Sequence, residues 1–409
     1  MRSETFAGLH IGSSSVKIVV AQDANGKMQI MGASSSLCQG MRRDAVADME
    51  EVEKSIIDAL EKVERISAVA LDKVFIDIGG MHIEAQESKG VVAVSRADGE
   101  ISRDDVQRAL SAAQTISIPA NREIIYVVAK SFSVDDQRQI KDPVGMNGVR
   151  LEAEAIILTG ATPTIKNLTK CIFQSGVDIL GTIPTAISAG KAVLTKRQKD
   201  LGAVVINIGA GTTSMAVYED DELIHFATIP IGAFYITQDI ALGLQIPIEM
   251  AERIKVDFGS AIPEEINRKD QIDISKIDSA EEGTFSRRKV AEIIEARMQE
   301  IFFLIDKELK KIGHQKLLPA GAILTGGGAK LAGAVDLAKA SLKLPAQLGF
   351  PQNLSGIIDK VDDPSFAVAI GLALFASEDA KKAGKSFKGF SFLSGFFAKI
   401  KKWAGVFIP

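Results

Sequence analysis

The chain has 409 residues, 46% hydrophobic and 24% charged, with 35 Gly and 12 Pro; that is a globular composition, enough for roughly two to four compact units, and it excludes collagen-like, low-complexity and wholly disordered chains. Lys plus Arg is 48 against 52 Asp plus Glu, a net charge of −4 without the phosphate-neutralising surplus of a general nucleic-acid binder, so no nucleic acid is expected as a partner. The charge is uneven: residues 377–409 carry seven Lys against Glu378 and Asp379, a tail of +5 on a body of −9.

Cys38 and Cys171 stand alone without a CxxC pair, the pattern of a reduced, cytosolic chain with no structural disulfide. The first residues lack a signal-peptide apolar region, and the longest apolar run of the body, Ala367 to Ala376, is about half a membrane span. No bilayer crossing is expected.

Two segments repeat one another. Leu9-His-Ile-Gly12-Ser-Ser-Ser-Val-Lys17-Ile-Val-Val and Ile206-Asn-Ile-Gly209-Ala-Gly-Thr-Thr-Ser-Met-Ala-Val each read as strand, glycine turn, strand. Each leads through a second turn, Asp23 to Gly26 or Glu219 to Glu222, into a third extended run. A helical stripe follows both meanders, formed by Val52, Ile56, Leu60 and Val63 in the first half and by Val290, Ile294, Ile301, Ile305 and Leu309 in the second. Strands mixed with helices in a duplicated order indicate an α/β fold.

Between the halves lies a smaller unit, residues 84–162. Ser102-Arg-Asp-Asp105 is a capping-box pattern that opens a helix with Val106, Ala109, Leu110 and Ala113 inward. Extended segments flank it at Gly90–Ser95, Ile124–Val134 and Ala153–Leu158. Without catalytic residue types, it reads as an inserted interaction subdomain. Residues 377–391, rich in Lys, Gly and Ser, read as a flexible basic linker.

A turn of glycine and small hydroxyl residues between strands gathers backbone N–H and O–H donors into one concavity, suited to phosphate. Two such turns facing each other would grip a polyphosphate. A third element, Ala322-Ile-Leu-Thr325-Gly-Gly-Gly328-Ala-Lys330, takes a strand into a bare glycine turn open to a flat ring or ribose. There is no Walker A sequence and no kinase-type GxGxxG loop, no HExxH among the four histidines, and no GxSxG elbow.

After residue 391 the pattern changes again. At 100° per residue, Phe392, Leu393, Phe396, Phe397, Ile400, Trp403, Ala404 and Phe407 share an arc of about 140°. Lys401 and Lys402 fall outside it, and Lys399 lies at its margin, where a long side chain snorkels. Residues 392–408 make about 25 Å of helix, suited to lying in a membrane interface rather than spanning it. Lys381, Lys382, Lys385 and Lys388 each add roughly 1 kcal/mol of attraction to anionic lipid if they reach its surface.

The order of phosphate turn, connecting helix, second phosphate turn and glycine-rich adenosine turn resembles the actin, Hsp70 and sugar-kinase superfamily. Within it, Glu100-Ile-Ser-Arg-Asp-Asp-Val106, Pro119-Ala-Asn-Arg-Glu-Ile124 and Asp142-Pro-Val-Gly-Met-Asn-Gly-Val-Arg-Leu151 resemble the insertion of the FtsA family, bacterial cell-division homologues of actin. Gly181-Thr-Ile-Pro184 and Ala251-Glu-Arg-Ile-Lys255 are similar to that family too, and the resemblance runs from about residue 6 to the C-terminus.

The resemblance implies an actin-like (ribonuclease-H-like) two-lobed fold with an inserted small α+β subdomain and a C-terminal amphipathic helix. The first lobe would comprise 1–83, 163–200 and 359–376, around the insert 84–162. The second would comprise 201–228 and 311–358, with an upper subdomain at 229–310. It further implies ATP in the cleft, with Mg²⁺ held weakly and through the nucleotide rather than by protein side chains. Phosphate contacts carry over to Gly12, Ser13, Ser14 and Lys17, and to Gly209, Gly211, Thr212 and Thr213. Adenosine contacts carry over to Glu252, Lys255, Gly327, Gly328 and Lys330. The implied partners are a second copy of the chain in a protofilament, the FtsZ C-terminal peptide, anionic membrane lipids, and later division proteins through residues 84–162. The implied location is the cytoplasmic face of the bacterial membrane at the division site.

His10, Asn207 and Ser214 stand where the superfamily carries acidic residues. Carboxylates anchor the waters of Mg²⁺ and orient an attacking water, so weak or absent hydrolysis is expected and nucleotide serves as an assembly ligand. Asp77-Ile-Gly-Gly80 superficially restores a phosphate motif but falls on the strand entering the insert, so a structural role is expected there. A PilM-like pilus-assembly adaptor is the nearest alternative, since Gly12-Ser-Ser-Ser-Val-Lys17 resembles that relative as well. A small-molecule kinase of the same superfamily is the other, and it would need a carboxylate near the γ-phosphate.

Overall fold

The computed structural model describes residues 5–24, 27–276 and 283–384. The expected membrane-binding positions, Phe392, Leu393, Phe396, Phe397, Lys399, Ile400, Lys401, Lys402, Trp403 and Phe407, lie outside the described residues.

Both halves build the same sheet. In the first, the strands run in the order Asp178–Pro184, Lys73–Ile78, Thr5–Ile11, Ser15–Ala24, Lys27–Leu37 and Leu354–Gly356. In the second, the order is Glu222–Ile229, Thr213–Glu219, Ala203–Ile208, Gly321–Thr325 and Ala346–Leu348. Each sheet is an antiparallel three-strand meander whose first strand is also flanked by parallel strands. The duplication read from the two glycine turns is therefore a duplication of topology.

The side-chain period of two sorts each strand between two cores. Leu9, Val16, Ile18 and Val20 face the helix Met49–Ser67, where they meet the expected stripe of Val52, Ile56, Leu60 and Val63. In the second half, Val204, Ile206 and Ile208 meet Val290, Ile294, Ile301, Ile305 and Leu309 of the helix Arg287–Lys311. The opposite faces, with Phe6, Val19, Val205 and Ala216, close a third core between the sheets. Two helices fill it, Thr185–Val193 and Ala367–Gly384. They approach so closely that a Cβ on Gly371 would lie 1.9 Å from the carbonyl oxygen of Ser188, and the Ser188 hydroxyl donates to the carbonyl of Val368 at 2.8 Å. Only glycine permits that crossing.

The insert is an antiparallel sheet in the order Glu84–Ala93, Arg150–Ala161, Arg122–Val134, Gln137–Ile140, covered by the helix Arg103–Ala113. Its capping box forms as the sequence predicts, between Ser102 and Asp105. Burial works against the charge of Asp105. Hydrogen bonds from the Ser102 hydroxyl and amide, from the Ser95 amide and from Arg108 prevail, and they hold its carboxyl well below the usual range.

The basic linker expected at 377–391 begins instead as helix, since Ala367–Gly384 continues through that composition change. Two of its charged residues are tied to the body: Glu378 accepts from Lys191, and Lys381 pairs with Asp23. Among the described residues, no helix is long and apolar enough to cross a membrane.

Candidate functional site

Parallel strands present their carboxyl ends, with the loops that follow them, along one edge of a sheet, the usual place for a ligand site in α/β folds. In the first lobe that edge carries His10, Asp77 and Thr185, at or just beyond the ends of three adjacent strands. Asp77 is buried; its Oδ1 lies 2.9 Å from His10 Nδ1, and its Oδ2 accepts from the Thr185 hydroxyl at 2.7 Å. The DIGG segment thus ties three strand ends together. In the second lobe the same edge carries Asn207 and Thr325, paired in register. Gly326 follows, at φ 85°, so close to Asn207 that a Cβ there would meet Asn207 Oδ1 at 2.7 Å.

The two hydroxyl-bearing turns face each other. A Cβ on Gly211 would lie 2.5 Å from Ser13 Oγ, so the second turn packs directly on the first. The amides of Gly12 and Gly209 are taken up inside their own turns, donating to Ser15 O at 3.1 Å and Thr212 O at 3.0 Å. Those two glycines shape the bends. Thr213 donates its hydroxyl to Ile231 O at 2.8 Å, whereas Ser13 and Thr212 both turn theirs to Asp44 at the contact between the lobes. Ser214 Oγ is buried without a hydrogen-bond partner, opposite Asn207 in the strand pairing.

Lys17 is partly buried beside the first turn, its ammonium 5.8 Å from the centre of the Phe366 ring. Burial depresses its pKa to about 8 from an ordinary 10.5, with Asp363 acting in the opposite sense and Lys330 reinforcing the depression. Lys330 itself, in the turn Gly327–Lys330, pairs with Asp363 at 2.5 Å. Other expected adenosine residues gather around Ala233: Lys255 donates to Ala233 O at 3.3 Å, to Thr237 at 2.8 Å and to Glu252 at 2.7 Å, while a Cβ on Gly328 would meet Ala233 at 3.0 Å. Lys255 is only 9% exposed and so is no solvated helix face. Gly327 opens on free space, with no atom within 4 Å of where a Cβ would stand.

Three contributors escape sequence reasoning. Asp44 accepts from Ser13 Oγ at 2.6 Å and also from Thr212 Oγ1. Its signal is a charged two-residue hairpin tip, which by composition looks like any surface turn. Asp363 caps the turn Pro364–Phe366 and reaches the site from 33 residues beyond Lys330. Arg43 lies over the ring of Tyr235, 5.6 Å from its centre.

The sequence and the fold are similar to those of known proteins. A family model described as cell division protein FtsA covers residues 204–371, and one described as the SHS2 domain inserted in FTSA covers 80–159. The chain is 31% identical to cell division protein FtsA of Pseudomonas aeruginosa, over 97% of this chain and 96% of that one. To cell division protein FtsA of Bacillus subtilis it is 34% identical, over 94% and 86%. Among solved structures it shares its fold with PilM of a PilM–PilN type IV pilus biogenesis complex, at TM-score 0.65 and 16% identity over 91% of this chain and 98% of that one. It also shares it with MreB5 of Spiroplasma citri bound to ADP, at TM-score 0.55 and 13% identity over 94% and 99%. The pilus likeness is one of fold alone, whereas the division-protein likeness is one of sequence along nearly the whole chain. The chain belongs to the FtsA family of cell-division proteins, an actin-like fold with an SHS2 domain inserted in its first half.

Proposed function

We propose that this chain binds ATP between its lobes, polymerises at the inner face of the cytoplasmic membrane, tethers FtsZ there and recruits later division proteins through residues 84–162. One observation carries the nucleotide part. The serine turn and its threonine counterpart meet at the carboxyl edges of two matched sheets, with Gly211 against Ser13. MreB5 structures of the same fold hold ADP or AMPPNP, which supports a nucleotide as the ligand.

The residues fit that group. Ser13, Ser14, Lys17, Gly211 and Thr212 would hold phosphates, with Gly12, Gly209 and Thr213 shaping their turns. The open face at Gly327, with Gly328, Glu252 and Lys255 beside it, would take ribose and base. Bound ATP supplies a polyphosphate that ties the two lobes together. No group of three or more His, Cys, Asp or Glu that could hold a metal ion occurs among the described residues, so Mg²⁺ would ride on the phosphates. The carboxylate of Asp77 is engaged by neighbouring side chains, in keeping with slow or absent turnover.

The membrane part rests on the amphipathic pattern at 392–408 and its basic approach. A fluorescent ATP analogue should bind the full chain, and Gly211→Val, which fills the contact with Ser13, should abolish binding. Deletion of residues 392–409, or Trp403→Glu, should abolish sedimentation with anionic liposomes and leave nucleotide binding intact. An FtsZ C-terminal peptide, and not a pilus-type N-terminal peptide, should retain the chain in a pull-down. Failure of the analogue to bind, or sedimentation of the truncated chain, would overturn the corresponding part.

A further inference from the structure

Between the strand Lys27–Leu37 and the helix Met49–Ser67 the chain makes a small hairpin, Met41–Arg42 paired with Ala45–Val46. Its two-residue tip is Arg43–Asp44, and both residues are left-handed, at φ 51° and 59°. Left-handed backbone at both central residues is what a tight two-residue hairpin turn requires, and Asp tolerates it.

The tip enters the crevice. The Ser13 hydroxyl donates to Asp44 Oδ1 at 2.6 Å, and the Asp44 amide donates back to Ser13 Oγ at 2.9 Å. The Thr212 hydroxyl donates to Asp44 Oδ2 from the other lobe. Arg43 turns the opposite way onto Tyr235, on the helix Ala233–Leu244 of the second lobe. One side chain thus engages a hydroxyl from each lobe, and its neighbour holds the far wall.

A carboxylate and a phosphate cannot share the same two donors without direct repulsion between like charges. We propose that Asp44 is a resident anion in the seat of the ligand's phosphate, a latch that phosphate must displace and whose release frees Arg43 from Tyr235. This rests on the nucleotide-binding proposal above. The latch also sets selectivity. A free anion such as pyrophosphate brings nothing to offset the displacement, whereas a nucleotide has further contacts around Gly327 and Lys255.

The test uses the full chain and Asp44→Asn, which keeps the shape, removes the charge and suits a left-handed residue. Asp44→Gly, which also suits a left-handed residue, serves as the second variant. Removing the charge should tighten binding of a fluorescent ATP analogue about tenfold, with Mg²⁺ or with EDTA, the size expected for one like charge removed from a shielded site. Pyrophosphate should compete with the analogue measurably in the variants and poorly in the parent chain. Hydrogen exchange at residues 40–48 of the parent should quicken when ATP is added. Unchanged or weaker binding in both variants would overturn the latch, as would unaltered exchange. A loss confined to Mg²⁺ buffer would overturn it too, by making Asp44 a metal anchor. Binding by neither parent nor variants would overturn the nucleotide proposal, and the latch with it.

Discussion

Asp77 holds His10 across two neighbouring parallel strands, Oδ1 to Nδ1 at 2.9 Å, while its second oxygen takes the Thr185 hydroxyl at 2.7 Å. Asp77 is buried, so its removal strands two polar partners at once. Asp77→Ala should cost about 2–3 kcal/mol, the cost of leaving buried polar groups unpaired, and Thr185→Val about 1 kcal/mol. Urea unfolding midpoints check this. A loss in Asp77→Ala no larger than in Thr185→Val would show that His10 takes no support from the carboxylate.

The crossing of the two central helices makes a sharper demand. Gly371→Ala drives a methyl into the Ser188 carbonyl, 1.9 Å away before relaxation, and overpacking of this kind costs about 1–3 kcal/mol or more. Because the obstacle is backbone, Ser188→Ala should not rescue the variant. Thermal unfolding of the single and double variants decides it.

Lys17 makes nucleotide affinity depend on pH. Its pKa of about 8 means that the cation is lost as pH rises past that value, so affinity should fall between pH 7 and 9 (about one unit either side). Lys17→Arg should flatten the profile while retaining binding, and Lys17→Met should bind weakly throughout. For folding the sign is opposite. Between pH 8 and 10.5 the unfolded chain holds more protons at this site than the folded one, so the burial penalty fades as pH rises through that window.

The insert should loosen in acid. Asp105 carries a pKa lowered on folding, so its contribution is present above the ordinary 3.8 and lost as pH falls below it. Hydrogen-exchange protection across residues 84–161, taken relative to the intrinsic rate at each pH, should fall below about pH 4. Ser102→Ala, which removes the reciprocal cap, should cost about 1 kcal/mol at neutral pH.

What could be read from the chain beforehand was whatever is local and periodic. The stripe of Val52, Ile56, Leu60 and Val63, the Ser102 box and the matched glycine turns each lie within a few residues of sequence, and the structure reproduces all three. Asp44 and Asp363 were invisible, because each acts on residues that only the folded topology brings near. Composition misled at 377–384. Lys, Gly and Ser read as a linker, but Lys191 and Asp23, far off in sequence, hold Glu378 and Lys381 in a helix. The pairing of Lys330 with Asp363, 33 residues further on, is of the same kind.

The strand Leu354–Gly356 and the helix Ala367–Gly384 complete the first sheet and its inner face, although some three hundred residues separate them from the N-terminal strands they join. Until they arrive, the N-terminal strands lack an edge partner and expose Phe6 and Val19, leaving a half-built domain that waits on synthesis of the intervening chain. The duplicated halves are interlaced, so cutting the chain between them would yield two fragments with unsealed cores rather than two independent modules.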